Sequence, residues 1–114
     1  MKAIPYVLLL TLALIILFTQ CEKDPEPFNV PDAAFLTALI ELGVDTNGDG
    51  EISPAEAEVI TYLDVSFDSI SDMTGIEAFI NLDTLDCGYN QLTSLEVSNN
   101  TALSFLECGI NQLT

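Results

Sequence analysis

Residues 82–93, LDTLDCGYNQLT, return 21 residues later as residues 103–114, LSFLECGINQLT. A period of that size marks a chain built from stacked units. In register, Leu82, Leu85, Cys87, Asn90 and Leu92 fall over Leu103, Leu106, Cys108, Asn111 and Leu113; Gln91 and Thr93 recur as Gln112 and Thr114. A looser copy lies 22 residues upstream at Ile60, Leu63, Val65, Asp68 and Ile70. Side chains alternate across a strand, so strands over 63–65, 85–87 and 106–108 put their outer residues inward and Asp64, Asp86 and Glu107 outward. One coil cannot bury its own apolar row; stacked coils bury one another's.

The consensus, L-x-x-L-x-[VC]-x-x-[DN]-x-[IL], resembles leucine-rich repeats of the internalin-like kind and covers about half the chain. The resemblance implies an α/β repeat fold, a short solenoid with parallel strands. Asn90 and Asn111 suit the bend after each strand, because an inward amide satisfies backbone groups that a non-strand turn leaves open. Asp68 holds that place in the first copy, so that edge is expected to be less well sealed. Repeat proteins of this type commonly bind partners on the strand face, where a column of Asp64, Asp86 and Glu107 would steer basic ligands. The plainer reading of that column is a solvated face. Glu96 belongs to the return side of its coil.

Composition narrows the function further. The chain has 114 residues, with 18 Asp and Glu against two Lys and no His. Lys2 sits in the leader, which leaves Lys23 alone against all the acids. Such a surface repels phosphate backbones, which excludes nucleic-acid partners, and it repels bare anionic lipid. The lack of His removes the usual general base and imidazole ligand. No nucleophile, base and orienting group assemble here, so the chain is read as non-catalytic.

Lys2 followed by the apolar run from Tyr6 to Phe18 reads as a secretory signal over 1–20, because thirteen residues are too few to span a bilayer comfortably. Cys21 directly after it resembles the lipidation cysteine of bacterial lipoproteins, which implies a lipid anchor in the cell envelope, at the outer membrane or cell surface. A cleaved leader without lipid and a retained apolar anchor are the other readings, and each exports the chain. Residues 21–30, charged and proline-bearing, form a tether. The cap follows over 31–59. Asp32 caps a helix whose Phe35, Leu36, Leu39, Ile40 and Leu42 recur at helical spacing, and Gly43 stops it.

Within the cap, residues 45–56, DTNGDGEISPAE, resemble an EF-hand calcium loop. That resemblance implies Ca2+ held by Asp45, Asn47, Asp49, the carbonyl of Glu51, Ser53 and a bidentate Glu56, with Gly50 at the sharp turn and Ile52 in the core. Two further readings compete. One is a metal-free turn rich in Asn, Asp and Gly. The other is a capping box, Ser53-Pro54-Ala55-Glu56, in which Glu56 bonds back to the backbone of Ser53. Cys87 and Cys108 hold the same inward position on adjacent coils and are expected as free core thiols, since stacked parallel chains rarely offer bridge geometry. The repeats, 60–114, stop partway through a third copy, which reads as the front of a longer array. The expected protein is a short leucine-rich-repeat solenoid capped by an EF-hand-like helix-loop-helix, exported and membrane-anchored through Cys21, that recognises a protein or surface ligand. The alternatives are a structural envelope lipoprotein whose only ligand is calcium, and the targeting part of a larger enzyme.

Overall fold

The computed structural model describes residues 26–114; the leader and Cys21 lie outside them. Three strands, β1 (Tyr62–Asp64), β2 (Thr84–Asp86) and β3 (Phe105–Glu107), form one parallel sheet in the order β1-β2-β3. Leu63 pairs with Leu85 and Leu85 with Leu106, the register that the period demands. The strands begin one residue before the expected 63–65, 85–87 and 106–108. Apolar alternation locates the inward residues but not the first ladder bond, which comes from the coil below: Thr61 O accepts from Asp83 N–H and Thr84 N–H at 2.8 and 3.1 Å. The ladder also outlasts the strands, with Val65 N–H donating to Asp86 O and Cys87 N–H to Glu107 O, both at 2.8 Å.

Leu63, Val65, Ile70, Leu82, Leu85, Cys87 and Leu92 are buried between coils, joined by Phe79 and by Ile76 of a short 3-10 turn (Ile76–Ala78). In the third coil Leu106 and Leu113 are exposed, because among the described residues no coil lies on their far side.

What ties coil to coil is the amide ladder. Asn90 Oδ1 accepts from Asp68 N–H and Ile70 N–H of the first coil, both at 3.0 Å, while its Nδ2 donates to Val65 O at 2.9 Å and Cys87 O at 3.0 Å. Asn111 repeats the arrangement one coil on, accepting from Leu92 N–H and donating to Cys87 O and Cys108 O. Each amide thus reaches back to the coil before it, and Asn90 closes the bend at Asp68 as Asn111 does the one after it. Asn100 does the same on the return side through Ile76 O and Phe79 O.

The cap begins with α1 (Ala33–Glu41), whose N-cap Asp32 accepts from Ala34 N–H and Phe35 N–H. Gly43, at φ +84, ends it in the left-handed conformation that glycine adopts without a Cβ clash. Phe35, Ala38 and Leu39 are buried, but Ile40 and Leu42, expected in the covering face, are exposed. A nine-residue helix lying on the first coil buries a stripe narrower than the five apolar positions suggest. The other carboxylate oxygen of Asp32 accepts from Ser71 N–H and Asp72 N–H, so one side chain caps the helix and fastens it to the first repeat.

Candidate functional site

Two places carry chemistry: the loop between the cap helices and the solvent face of the sheet. In the loop, Gly48 and Gly50 take positive φ of 73° and 82°, which lets the backbone fold round Asp45. Asp45 Oδ1 accepts from Gly48 N–H at 3.0 Å, and Oδ2 accepts from Gly50 N–H at 2.9 Å. Asp49 Oδ1 accepts from Glu51 N–H and Asn47 Oδ1 from Asp49 N–H. Ile52 is buried, as its place in the loop predicts.

Glu56 is only 7% exposed. Its Oε2 accepts from Ser53 N–H at 2.8 Å, and its Oε1 accepts from Thr46 N–H at 3.0 Å and Asn47 N–H at 3.3 Å. Ser53 Oγ accepts from Glu56 N–H, so the capping box at the start of α2 (Pro54–Glu58) is complete. The Ser53 N–H, helped by Asn47 N–H and the Thr46 hydroxyl, holds the Glu56 carboxyl below the usual carboxylate range against the upward pull of burial. It is an anion that closes the loop.

Asn47, Asp49, Ser53 and Glu56 line one cavity of ≈ 350 Å³, which Glu26, Pro27 and Thr46 also border. Glu51 lies outside that lining, against Phe28, Val30 and Ile52, and Asp45 is turned to the loop's own N–H groups. Among the described residues no three carboxylates or thiols are gathered closely enough to form a metal-holding group. Asp45 and Asp49 accept from N–H groups of the loop itself, and Glu56 accepts from those of Ser53, Thr46 and Asn47.

On the sheet, the parallel register aligns Asp64, Asp86 and Glu107 across the three coils. Each carboxylate bends over the N–H two residues on: Asp64 to Ser66 at 3.0 Å, Asp86 to Gly88 at 3.0 Å, Glu107 to Gly109 at 2.7 Å. The Ser66 hydroxyl, then its N–H, lowers the Asp64 pKa, so this end of the column stays ionised at neutral pH. No Lys, Arg or His occurs after Lys23, so nothing within 26–114 neutralises the column.

Beside that column runs a second one that the periodicity did not single out. Phe67, Tyr89 and Ile110 share one repeat position, at φ of 61°, 55° and 54°, and are 70%, 53% and 68% exposed. The rings of Phe67 and Tyr89 stack at 4.2 Å with 12° between planes. Their shared offset was visible in the sequence, since each lies two residues after an inward Val or Cys; their backbone conformation was not. Cys87 and Cys108 are unbridged. Burial first, then the charges of Cys108, Asp86 and Glu107, pushes the Cys87 thiol up to about 12, so it packs as a neutral core group rather than a nucleophile.

The coil stack and the inward Leu and Cys positions are similar to those of internalin-like leucine-rich repeats. No family model matches the chain. Among individual proteins, Internalin J of Listeria monocytogenes serotype 4b is 46% identical over 50 residues, spanning 44% of this chain and 6% of that protein. The functional domain of the Listeria monocytogenes protein InlJ, a structure described as including a cysteine ladder, superposes with a TM-score of 0.67 at 35% identity, over 81% of this chain and 21% of that one. An internalin, InlF, from the same species gives 0.66 at 29% identity, over 74% of this chain and 25% of its own. The CBM51-2 and INT domains of Clostridium perfringens ZmpB give 0.62 at 28%, over 74% and 18%. The chain thus spans a quarter or less of each relative, and the likeness is one of repeat architecture and repeat sequence.

Proposed function

We propose that this chain is a non-catalytic recognition or adhesion module, exported to the cell envelope and tied to the membrane through lipidated Cys21, with a calcium ion in the 45–56 loop stiffening the junction between cap and repeats. The observation that carries the recognition role is the β1-β2-β3 register, which builds one continuous solvent face from three coils and lines it with Asp64, Asp86 and Glu107. Repeat proteins use such faces for partners. Supporting the ion is the donor set: Asp45, Asn47, Asp49, Ser53 and Glu56 with the Glu51 carbonyl offer only hard oxygens, in a twelve-residue loop with glycine at its sharp turn. When bound, the ion would neutralise the carboxylates of Asp45, Asp49 and Glu56. The residues themselves order the loop and, through Ile52 and the capping box, pass that order to α2. The Cys87–Cys108 column is similar to the cysteine ladder of the InlJ functional domain, which supports a packing role for both thiols.

One experiment with two arms tests this. Calcium at ~10 mM should raise the melting temperature by about 6–20 °C, which follows from ~1.4–2.7 kcal/mol at a dissociation constant near 10⁻⁴–10⁻³ M. Asp49→Asn, which keeps its turn bonds, should abolish most of that rise. In the second arm, arrayed extracellular proteins and glycans are probed with the wild-type chain and with Thr84→Arg/Asp86→Arg. Signals should vanish in that variant and survive Ser94→Arg on the return side. An unmoved melting point refutes the ion, and signals indifferent to the strand face refute the recognition role. Loss of metabolic lipid label in Cys21→Ser checks the anchor.

A further inference from the structure

The column of Phe67, Tyr89 and Ile110 is disfavoured twice in the free protein. Each residue sits in the left-handed region, which crowds an L side chain and is worst for a β-branched one such as Ile110. Each also holds an apolar side chain largely in water. Asn or Gly at these positions would relieve both penalties. The bend fixes the backbone strain, which a partner would leave in place, but the apolar exposure kept at one repeat position in three successive coils is what a covering partner would remove.

The surroundings of this rail define what covers it. Between it and the acidic column lie Ser66, whose hydroxyl donates to Asp64 Oδ1, and Gly88 and Gly109, which leave the floor bare in the second and third coils. A Cβ on Gly109 would come within 2.7 Å of Glu107 Oε1, and one on Gly88 within 3.2 Å of Gly109 O. On the far side of that floor, each of Asp64, Asp86 and Glu107 spends one oxygen on its own coil's N–H. The second oxygen of each has no hydrogen-bond donor within the described residues, which contain no cationic side chain. A second copy of the chain would bring another acidic column against this one, and nucleic acid or anionic lipid would be repelled outright.

We propose that the partner of the strand face is a protein segment rich in arginine or lysine. Its side-chain stems lie along the Phe67–Tyr89–Ile110 rail, and its heads cross the glycine floor to the Asp64–Asp86–Glu107 column. Long cationic side chains suit this face because they carry an apolar stem and a charged tip, and guanidinium planes also stack on aromatic rings. This deepens the recognition reading above and rests on it.

The test uses the full chain and labelled peptides in which leucine alternates with arginine, glutamine or glutamate, read by fluorescence anisotropy. The arginine peptide should bind, weaken as salt rises, and exceed the glutamine peptide by roughly tenfold or more; the glutamate peptide should not bind. Two variants dissect the face. Phe67→Asn/Tyr89→Asn/Ile110→Asn should bind the arginine peptide roughly tenfold more weakly, from lost cation–π and stem contacts, while Ile110→Asn alone melts no lower than wild type. Asp64→Asn/Asp86→Asn/Glu107→Gln should remove both binding and its salt dependence. Undiminished affinity in the rail variant would show diffuse charge attraction alone and overturn the proposal. So would a preference for the glutamine peptide, or self-association that the rail variant abolishes. If arginine peptides fail while the array ligands still depend on Thr84 and Asp86, the cationic partner falls and the recognition role stands. If both fail, both fall.

Discussion

Asn90→Ala should cost about 3–5 kcal/mol, because two N–H donors and two or three carbonyl acceptors lose their partner at once in a place water reaches poorly. Asn90 is 8% exposed and serves Asp68, Ile70, Val65 and Cys87, so it holds two coils together. Small domains are stabilised by only ~5–15 kcal/mol in total, so this one change should lower the melting temperature by about 15 °C or more. Asn111→Ala, which removes an amide of the partly exposed third coil, should cost only about 1–2 kcal/mol. Equal losses from the two would mean that enclosing Asn90 between coils adds nothing to the inter-coil bonds that both amides make. Chemical denaturation of both variants by urea measures the difference directly.

The second large effect belongs to Glu56→Ala, at about 2–4 kcal/mol, since the N–H groups of Ser53, Thr46 and Asn47 all lose an acceptor. A pH signature accompanies it. Folding depresses the Glu56 pKa, so its contribution is complete above the unfolded value near ~4.3 and is lost as pH falls through the lower folded one. Asp32 follows the same sign: burial pushes its carboxyl up, but the N–H groups of Ser71, Phe35, Asp72 and Ala34 together outweigh it. Acid also relieves repulsion among the 18 carboxylates, which works the other way. Wild type should therefore lose more stability than Glu56→Ala as pH falls below the unfolded carboxylate value near ~4.3. Parallel pH curves would remove Glu56 as the loop's closing group.

Much of the fold was legible because it repeats. Leu63, Leu85 and Leu106 set the register, and Asn90 announced its own bonding, since a polar residue recurring among inward apolar ones must satisfy something. Local chemistry was equally readable at Asp32, Gly43 and Ser53, where cap residues act on neighbours within a few positions. Features that depend on elements distant in sequence were not. Nothing in the chain near Asp32 shows that its second oxygen will meet Ser71 and Asp72, some forty residues on, and helical periodicity does not show that Ile40 and Leu42 overshoot the area the first coil can cover. The calcium loop is intermediate. Its residue types and glycines match the pattern, and Ile52 and Glu56 lie where the pattern puts them, yet Asp45 and Glu51 stand outside the cavity that Asn47, Asp49, Ser53 and Glu56 share. The Phe67, Tyr89 and Ile110 column was hidden for another reason: its positive φ angles arise from the bend that the amide ladder closes, and propensity would have placed Gly or Asn there.

Three stacked coils present a single acid-lined face. Nitroxide labels at Asp64→Cys and Glu107→Cys, in a background with Cys21, Cys87 and Cys108 replaced by serine or alanine, measure that most directly. Two strand spacings separate these positions, about 10 Å between backbones, so the continuous-wave spectrum of the doubly labelled chain should be strongly broadened relative to the sum of the single labels. A spectrum equal to that sum, from protein that melts cooperatively, would place the two acids on separate surfaces and contradict the stacked face.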